Sequence, residues 1–165
     1  MPAPIEIPPA FYKTAQFKAW LKTGDIRILQ FTDASGCRYD LEMMGREKTA
    51  DGKLRPLIRQ ATRYRHDRTL DVITDFDMNG RPSEWTIYTP DGKTKSVRVV
   101  NRLSGIEGAP FVQYVNFLRP DGTKERQYQA NRYGVVYLEW LYNEKEELLR
   151  WNGSSKYDHP LATLN

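Results

Sequence analysis

Two aspartates and an asparagine form the pattern in this sequence that comes closest to a metal site. The segment Asp75-Phe-Asp77-Met-Asn79-Gly80 matches the first half of a calcium loop, in which oxygen ligands alternate before a glycine turn. The twelfth position of such a loop carries a bidentate glutamate, whereas this chain has Thr86 there. Alternating acids followed by Asn-Gly are also typical of the exposed face of a strand that ends in a hairpin. We therefore expect no metal site and no cofactor.

Nucleophilic chemistry has few candidate residues. Cys37 is the one cysteine, which excludes an intrachain disulfide, and His66 and His159 are the two histidines. Nothing in their spacing brings the three together, and a nucleophile and its base are defined by geometry. The sequence has no glycine-rich phosphate loop, no paired-cysteine metal spacing and no Gly-x-Ser-x-Gly elbow. Catalysis is therefore not predicted.

Positive charge is concentrated in residues 46–68. This stretch contains eight bases and three acids, a balance of +5, so the rest of the chain sums to −1 within the total of +4. Lysine and arginine on exposed strands prevent pairing with other chains, and a localised basic face also attracts anionic partners. On a strand, Arg59, Arg63 and Arg65 would share one face, which favours recognition of acidic groups. Tyr64 beside them also raises the hypothesis of single-stranded nucleic acid, whose bases stack on aromatic rings.

One helix and about ten strands are predicted to position these residues. Proline before residues 10–22 and Gly24 after them favour a helix there. The later period-two patterns, separated by Asp-Gly and Asn-Gly pairs, predict hairpin-linked strands. The strands are expected at 25–31, 38–44, 54–64, 69–77, 83–89, 94–100, 111–118, 124–130, 135–142 and 148–152. The fold class is mainly β: an antiparallel meander that either closes into a barrel or remains a strongly twisted open sheet.

The predicted organisation is an arm at 1–9, a single domain at 10–152 that includes the helix, and a tail at 153–165. The 4 Trp, 10 Tyr and 6 Phe supply enough apolar surface for a core despite a mean hydropathy of −0.69. No apolar run approaches the roughly 18–20 residues of a membrane span, and the first residues do not resemble a signal peptide. We expect a cytoplasmic protein.

Three stretches share an aromatic residue, a second aromatic three positions later, a turn and a charged return strand. They begin at Trp85-Thr-Ile-Tyr88, Tyr114-Val-Asn-Phe117 and Tyr137-Leu-Glu-Trp140. With Asp51-Gly-Lys-Leu and Asn79-Gly-Arg, they resemble the MORN-like hairpin repeats of the YwqK family of proposed antitoxins over about residues 51–150. The glycine-rich return strand of that family is missing. The resemblance implies a cytoplasmic neutraliser that binds a partner protein and performs no chemistry.

The first functional hypothesis is a protein-binding module, such as an immunity protein, antitoxin or inhibitor. Tryptophan, tyrosine and arginine are the usual anchors of protein interfaces. The predicted anchors are Trp85, Tyr88 and Tyr114, with Arg59, Arg63 and Arg65 recognising acidic groups.

The alternative is a lipocalin-like barrel that holds a small apolar or aromatic ligand. Segments 111–118 and 135–142 are apolar on both faces, so Tyr114, Phe117, Trp140 and Tyr142 could line a cavity or simply fill the core. A closed barrel favours the ligand, and an open sheet favours the partner protein.

Overall fold

The structure, a computed structural model, describes residues 2–102, 112–131, 133 and 135–153. His159, Phe111 and the predicted tail from residue 154 lie outside the described residues. The strands are β1 (Arg27–Thr32), β2 (Arg38–Lys48), β3 (Leu54–Tyr64), β4 (Leu70–Phe76), β5 (Pro82–Tyr88), β6 (Lys95–Arg102), β7 (Val112–Leu118), β8 (Lys124–Ala130), β9 (Val136–Tyr142) and β10 (Leu148–Gly153).

The ten strands follow one another in sequence order in a single antiparallel sheet, which confirms the predicted meander. β1 and β10 are the two ends of that order, and no ladder joins them in the described part of the chain. Of the two predicted alternatives, the open sheet is therefore confirmed and the barrel is wrong, because a barrel needs its first and last strands to pair. A lipocalin-like interior loses its structural premise for the same reason.

The helix at 10–22 is predicted as one continuous element, but the structure divides it at Thr14. A 3₁₀ turn (Pro9–Lys13) comes first, and helix α1 (Ala15–Thr23) follows. Thr14 is extended, with φ −71° and ψ 149°, and its hydroxyl accepts a hydrogen bond from the Phe17 N–H at 3.2 Å. Thr14 thus supplies the N-cap of a new helix, which an unbroken helix does not need. No helix within the described residues is long and apolar enough to cross a membrane.

Two compact units make up the described chain. The first comprises Ala3–Trp85 and Pro90–Lys93, and the second comprises Thr86–Thr89 and the described residues from Thr94 onward. In the core of the first unit the arm and the helical segment contact the strands: Ile5 binds Thr74 of β4, and the ring centres of Phe11 and Phe31 lie 5.9 Å apart. Its largest buried side chains include Phe11, Trp20, Leu41 and Met43.

The arm is held to the sheet by the backbone as well as by side chains. Ile5 is 2% exposed, and its N–H donates to the hydroxyl of the fully buried Thr74 at 2.9 Å. This bond satisfies a buried threonine that would otherwise carry an unpaired polar group. The arm is thereby fixed against β4.

The second unit buries apolar and polar side chains together. Val99 and Val115 are at most 1% exposed, while Asn116, Gln127 and Gln129 are 6–8% exposed. Burying an amide is unfavourable unless it is hydrogen-bonded, so the partners of these three side chains determine whether their burial destabilises the unit.

Among the residues that the structure describes, six hairpin loops of five residues share one backbone arrangement. The first N–H donates to the fifth carbonyl, and the fourth N–H donates to the first carbonyl. The loops are 33–37, 49–53, 65–69, 77–81, 119–123 and 143–147. The fourth residue has positive φ in every one, as in Gly122 at 87°. Arg68 and Glu146 occupy that position at 74° and 60° without being glycine.

Candidate binding surfaces

Two of the three arginines predicted to contact a partner are paired with one carboxylate in the first unit. Asp71 accepts from Arg63 Nε at 2.9 Å and lies 3.1 Å from Arg65 Nη2. All three side chains are only 20–28% exposed. Arg65 Nη1 also donates to the carbonyls of Leu70 at 2.9 Å and Pro90 at 3.3 Å. These guanidinium groups are therefore engaged within the fold.

Two of the six remaining basic residues of the stretch also form ion pairs. Arg59 pairs with Glu42 at 3.2 Å but stays 61% exposed, so it is the predicted arginine that a partner reaches most easily. Arg55 pairs with Glu47. Since Glu42 and Asp71 lie outside residues 46–68, they offset two of the five excess positive charges there. Fewer unpaired cations are then left for a phosphate backbone.

One face of the Tyr64 ring is covered by an arginine. The Arg38 guanidinium lies 4.2 Å from the centre of its ring, in cation–π contact. A nucleic-acid base would have to displace Arg38 from that face of the ring. Together with the paired arginines, this contact weakens the nucleic-acid hypothesis.

The aromatic anchors predicted on β5 differ in accessibility. Trp85 is 4% exposed and belongs to the core of the first unit. Tyr88, in the second unit, is half-buried, and burial raises the pKa of its hydroxyl. Tyr88 can reach a partner in this conformation, whereas the Trp85 ring cannot.

Strand register separates the four predicted cavity residues. Tyr114 is opposite Gln129, and Trp140 is opposite Gln127, so these two rings share one face of the second unit. Tyr142 follows Trp140 by two positions on β9, and the Lys124 ammonium lies 4.8 Å from its ring centre.

Phe117 lies on the opposite face. It is opposite Arg126, whose guanidinium is 4.4 Å from its ring centre, and Tyr128 meets it edge-on at 5.3 Å. The structure therefore brings Tyr114, Trp140 and Tyr142 to one face but not Phe117.

The calcium-like segment serves the hairpin between β4 and β5. Asp77 Oδ1 accepts the N–H groups of Asn79 and Arg81, both at 2.9 Å, and Asp75 Oδ1 accepts from Gln60 at 2.8 Å. Asp77 therefore caps the turn, and Asp75 forms a side-chain hydrogen bond across the β3–β4 strand pair. Across the described residues, no group of three or more His, Cys, Asp or Glu could hold a metal ion.

Cys37 and His66 lie on neighbouring hairpins of the first unit. A Cβ placed on Gly36 would lie 3.4 Å from the Cβ of His66, which brings the two loop tips close together. The Ser35 hydroxyl lies 3.8 Å from Cys37 Sγ. No hydrogen bond between Cys37 and His66 is formed among the described residues, so the arrangement does not indicate an activated thiol.

A cleft beside the arm is a surface that sequence reasoning missed. Two adjoining depressions of about 540 and 330 Å³ share Ile7, Tyr12, Phe76 and Gly80 in their linings. Burial raises the pKa of the Tyr12 hydroxyl, which stays a donor at neutral pH. Arg55 borders the smaller depression, but its guanidinium donates to the carbonyls of Met78 and Asn79, both at 3.0 Å. The cleft is therefore mostly apolar, without an available cation.

The last described strand exposes every one of its six residues. Leu148, Leu149 and Trp151 are 54%, 66% and 61% exposed, and β10 pairs with β9 through a register shift between Leu148 and Arg150. The Trp151 ring extends over Gly153, because a Cβ there would come within 2.9 Å of the indole. The only sequence signal was the Leu-Leu-Arg-Trp run, which does not tell exposed from buried.

No protein-family model matches the chain, and no curated protein matches it either. The resemblance of its hairpins to the YwqK family therefore stays a prediction.

Proposed function

We propose that this protein is a non-catalytic binding module that captures another polypeptide at β10. The observation that carries the proposal is the exposure of Leu148, Leu149 and Trp151 on a strand at the end of the sheet order. Exposed apolar side chains on an end strand favour pairing with another chain, and natural proteins usually suppress such edges.

Strand addition supplies both parts of the recognition. A partner strand takes backbone hydrogen bonds from the side of β10 that pairs with no described strand, while alternate side chains set the preference for one partner. Trp151 suits the role of anchor, since tryptophan is enriched among residues that dominate binding energy. Arg59 and Tyr88 remain candidates for additional contacts, as both are accessible in their own units.

An inhibitor, antitoxin or immunity protein acts in this stoichiometric way. Such a protein needs a stable scaffold and one accessible surface, not a catalytic centre. A cytoplasmic location is part of this proposal. The partner in this reading is a protein, and the ion-paired arginines make nucleic acid a weaker candidate.

Affinity capture from the cells that make the protein tests this proposal. The tagged wild-type chain should retain one partner in about equimolar amount, and Leu149→Lys should lose it, because a charge would be buried in the interface. Leu149 is 66% exposed, so the substitution should leave the fold intact.

Leu54→Lys is the matched control. Leu54 is an exposed leucine on β3 (43%) in the first unit, so the variant adds the same charge away from β10. It should retain the partner as the wild type does. Equal retention by both variants, or no equimolar partner for the wild type, would contradict the proposal.

A further inference from the structure

The two adjoining depressions beside the arm, together called the arm cleft, have room for a small organic molecule. Their volumes are about 540 and 330 Å³. Ligand pockets of proteins typically measure about 300–1,000 Å³, so each depression reaches that range. All residues that line the arm cleft belong to the first unit.

Aromatic and apolar side chains form most of the wall of the arm cleft. Ile7, Tyr12 and Phe76 line both depressions, and Pro4 and Pro82 line the larger one. Tyr12 is 37% exposed and Phe76 is half-buried, so a bound molecule can reach both rings. Proline has no N–H, so the backbone offers no donor at Pro4 or Pro82. Such a wall favours a ligand with an apolar or aromatic body.

Two charged side chains line the arm cleft, and of these only Arg55 has a counter-charge among the described residues. Its Nε donates to Glu47 at 2.7 Å, and its two terminal nitrogens donate to the carbonyls of Met78 and Asn79, both at 3.0 Å. Glu6 is exposed beside the larger depression and forms no ion pair or hydrogen bond within the described residues. The arm cleft therefore presents one uncompensated negative charge, which favours a cationic ligand.

The Tyr12 hydroxyl is a second polar group that a ligand can use. It forms no hydrogen bond in the described part of the chain, and burial raises its pKa, so it remains uncharged at neutral pH. Its oxygen can accept an N–H. Phe11 and Phe17 meet the Tyr12 ring edge-on, with ring centres 5.3 and 5.2 Å away, so the ring is held in place. Because aromatic rings attract cations to their faces, Tyr12 adds to the preference for a cation.

We propose that the arm cleft binds an arylalkylamine, a small molecule in which a short chain joins an aromatic ring to a protonated amine. The ring packs against the Phe76 and Tyr12 side chains, and the ammonium donates to the Glu6 carboxylate and to the Tyr12 oxygen. An anion of the same shape is repelled by Glu6 and meets no available cation among the lining residues, because Arg55 is engaged within the fold. The proposal does not depend on strand addition at β10.

NMR titration of the wild-type chain with 2-phenylethylamine tests the proposal. The backbone amide signals of Ile7 and Gly80, which line both depressions, should shift and saturate. The alcohol 2-phenylethanol has the same shape but no charge, and we expect its affinity to be lower by about threefold or more. Phenylacetate, an anion with the same ring, should not shift these signals.

Titration with n-butylamine tests the contribution of the ring. This molecule carries the same ammonium on a linear chain that resembles a lysine side chain. Because it cannot pack a ring against Tyr12 and Phe76, its affinity should be about threefold or more below that of 2-phenylethylamine. Equal affinities would show that the arm cleft recognises any alkylammonium, including a lysine of a polypeptide, and would overturn the proposed ligand class.

A charge-removing variant, Glu6→Gln, locates the ammonium. It keeps the shape of the side chain, so affinity for 2-phenylethylamine should fall by about twofold to fivefold, the range of an exposed ion pair, and affinity for 2-phenylethanol should stay unchanged. Glu125→Gln is the matched control, because Glu125 is an exposed carboxylate on β8 in the second unit and forms no ion pair among the described residues. It should bind the amine as the wild type does. Leu149→Lys should also leave the affinity unchanged, which separates this site from the surface of the proposed function.

Three further results would overturn the inference: no saturable shift at Ile7 and Gly80 with millimolar 2-phenylethylamine, equal affinities for the amine and the alcohol, or the same affinity in Glu6→Gln as in Glu125→Gln. The comparison of the amine with the alcohol needs no variant, so the inference can fail even if Glu6→Gln does not fold.

Discussion

At the scale of single residues, Asp71 is predicted to stabilise the fold because it pairs with two partly buried arginines. Asp71→Asn would leave Arg63 and Arg65, 28% and 24% exposed, without their shared counter-charge. We expect the free energy of unfolding to fall by roughly 1–3 kcal/mol, below the cost of breaking a fully buried pair because water still reaches these groups. Urea denaturation at neutral pH measures the change.

Asp25→Asn is the control for this prediction. Asp25 pairs with Arg27 at 2.8 Å, but the side chains are 43% and 53% exposed. Exposed ion pairs contribute little, so this variant should be clearly less destabilised than Asp71→Asn. Equal effects would show that burial of the Arg63–Asp71–Arg65 cluster adds nothing.

Pairings of this kind could not be predicted from the sequence. The sequence placed Arg63 and Arg65 on one face, but their shared partner depends on the β3–β4 register, which shifts between Arg63 and Tyr64. The alternation of Trp85 with its neighbours likewise does not reveal which face of β5 is covered. Ile7 and Phe76 are far apart in the chain, so nothing in the sequence marks the arm cleft that both residues line.

At the scale of elements, the hairpins were the most predictable part. Asp-Gly and Asn-Gly favour positive φ at the fourth loop position, and the strand positions followed from them. Arg68 and Glu146 occupy that position without being glycine, so their loops were inferred only from the flanking strands. Thr14 was missed because the apolar period continues through its helix cap.

Several hairpins share an acid-sensitive cap. Hydrogen bonds from Ser35, Thr49, Thr69 and Thr123 are the main reason that the pKa values of Asp33, Asp51, Asp67 and Asp121 lie below their usual range. In the unfolded chain aspartate titrates at about pH 3.9. The contribution of these caps is therefore present above that pH and lost as pH falls through the lowered folded values. The melting temperature should therefore fall as the pH is lowered below about 4.

Asp121→Asn tests the cap without changing its shape. Asp121 accepts the Thr123 N–H at 2.9 Å, and the amide oxygen of asparagine can accept the same bond, so the substitution should preserve the loop. Because an amide does not titrate, the melting temperature of this variant should fall less between neutral and acid pH than that of the wild type. Parallel pH profiles would refute the role of Asp121 in acid sensitivity.

Arg119 connects two hairpins of the second unit. Its guanidinium donates to the carbonyls of Lys124 at 2.7 Å, Tyr142 at 2.6 Å and Asn143 at 3.1 Å. Arg119→Lys should lower the free energy of unfolding by about 1–3 kcal/mol, since an ammonium cannot reproduce this planar set of bonds. Arg150→Lys, on the exposed β10, should be close to neutral, and similar losses from both variants would contradict the prediction.

At the scale of the whole molecule, the charge of +4 does not describe one basic surface. Glu42 and Asp71 pair with bases from residues 46–68, so part of the +5 of that stretch is offset where it arises. Exposed apolar side chains instead occur on both end strands of the sheet order. Ile28 is 64% exposed on β1, and Leu149 is 66% exposed on β10.

This distribution predicts self-association when no partner is present, because unprotected apolar edge strands pair with other copies. Sedimentation velocity over a concentration series should show reversible association of the wild type. Leu149→Lys and Ile28→Lys should each weaken it by about tenfold or more, as lysine on an edge opposes pairing. Leu54→Lys adds the same charge on β3 and should sediment as the wild type does. If all three variants weaken association to the same extent, net charge and not the edge strands governs assembly. The case for β10 as a binding edge would then weaken as well.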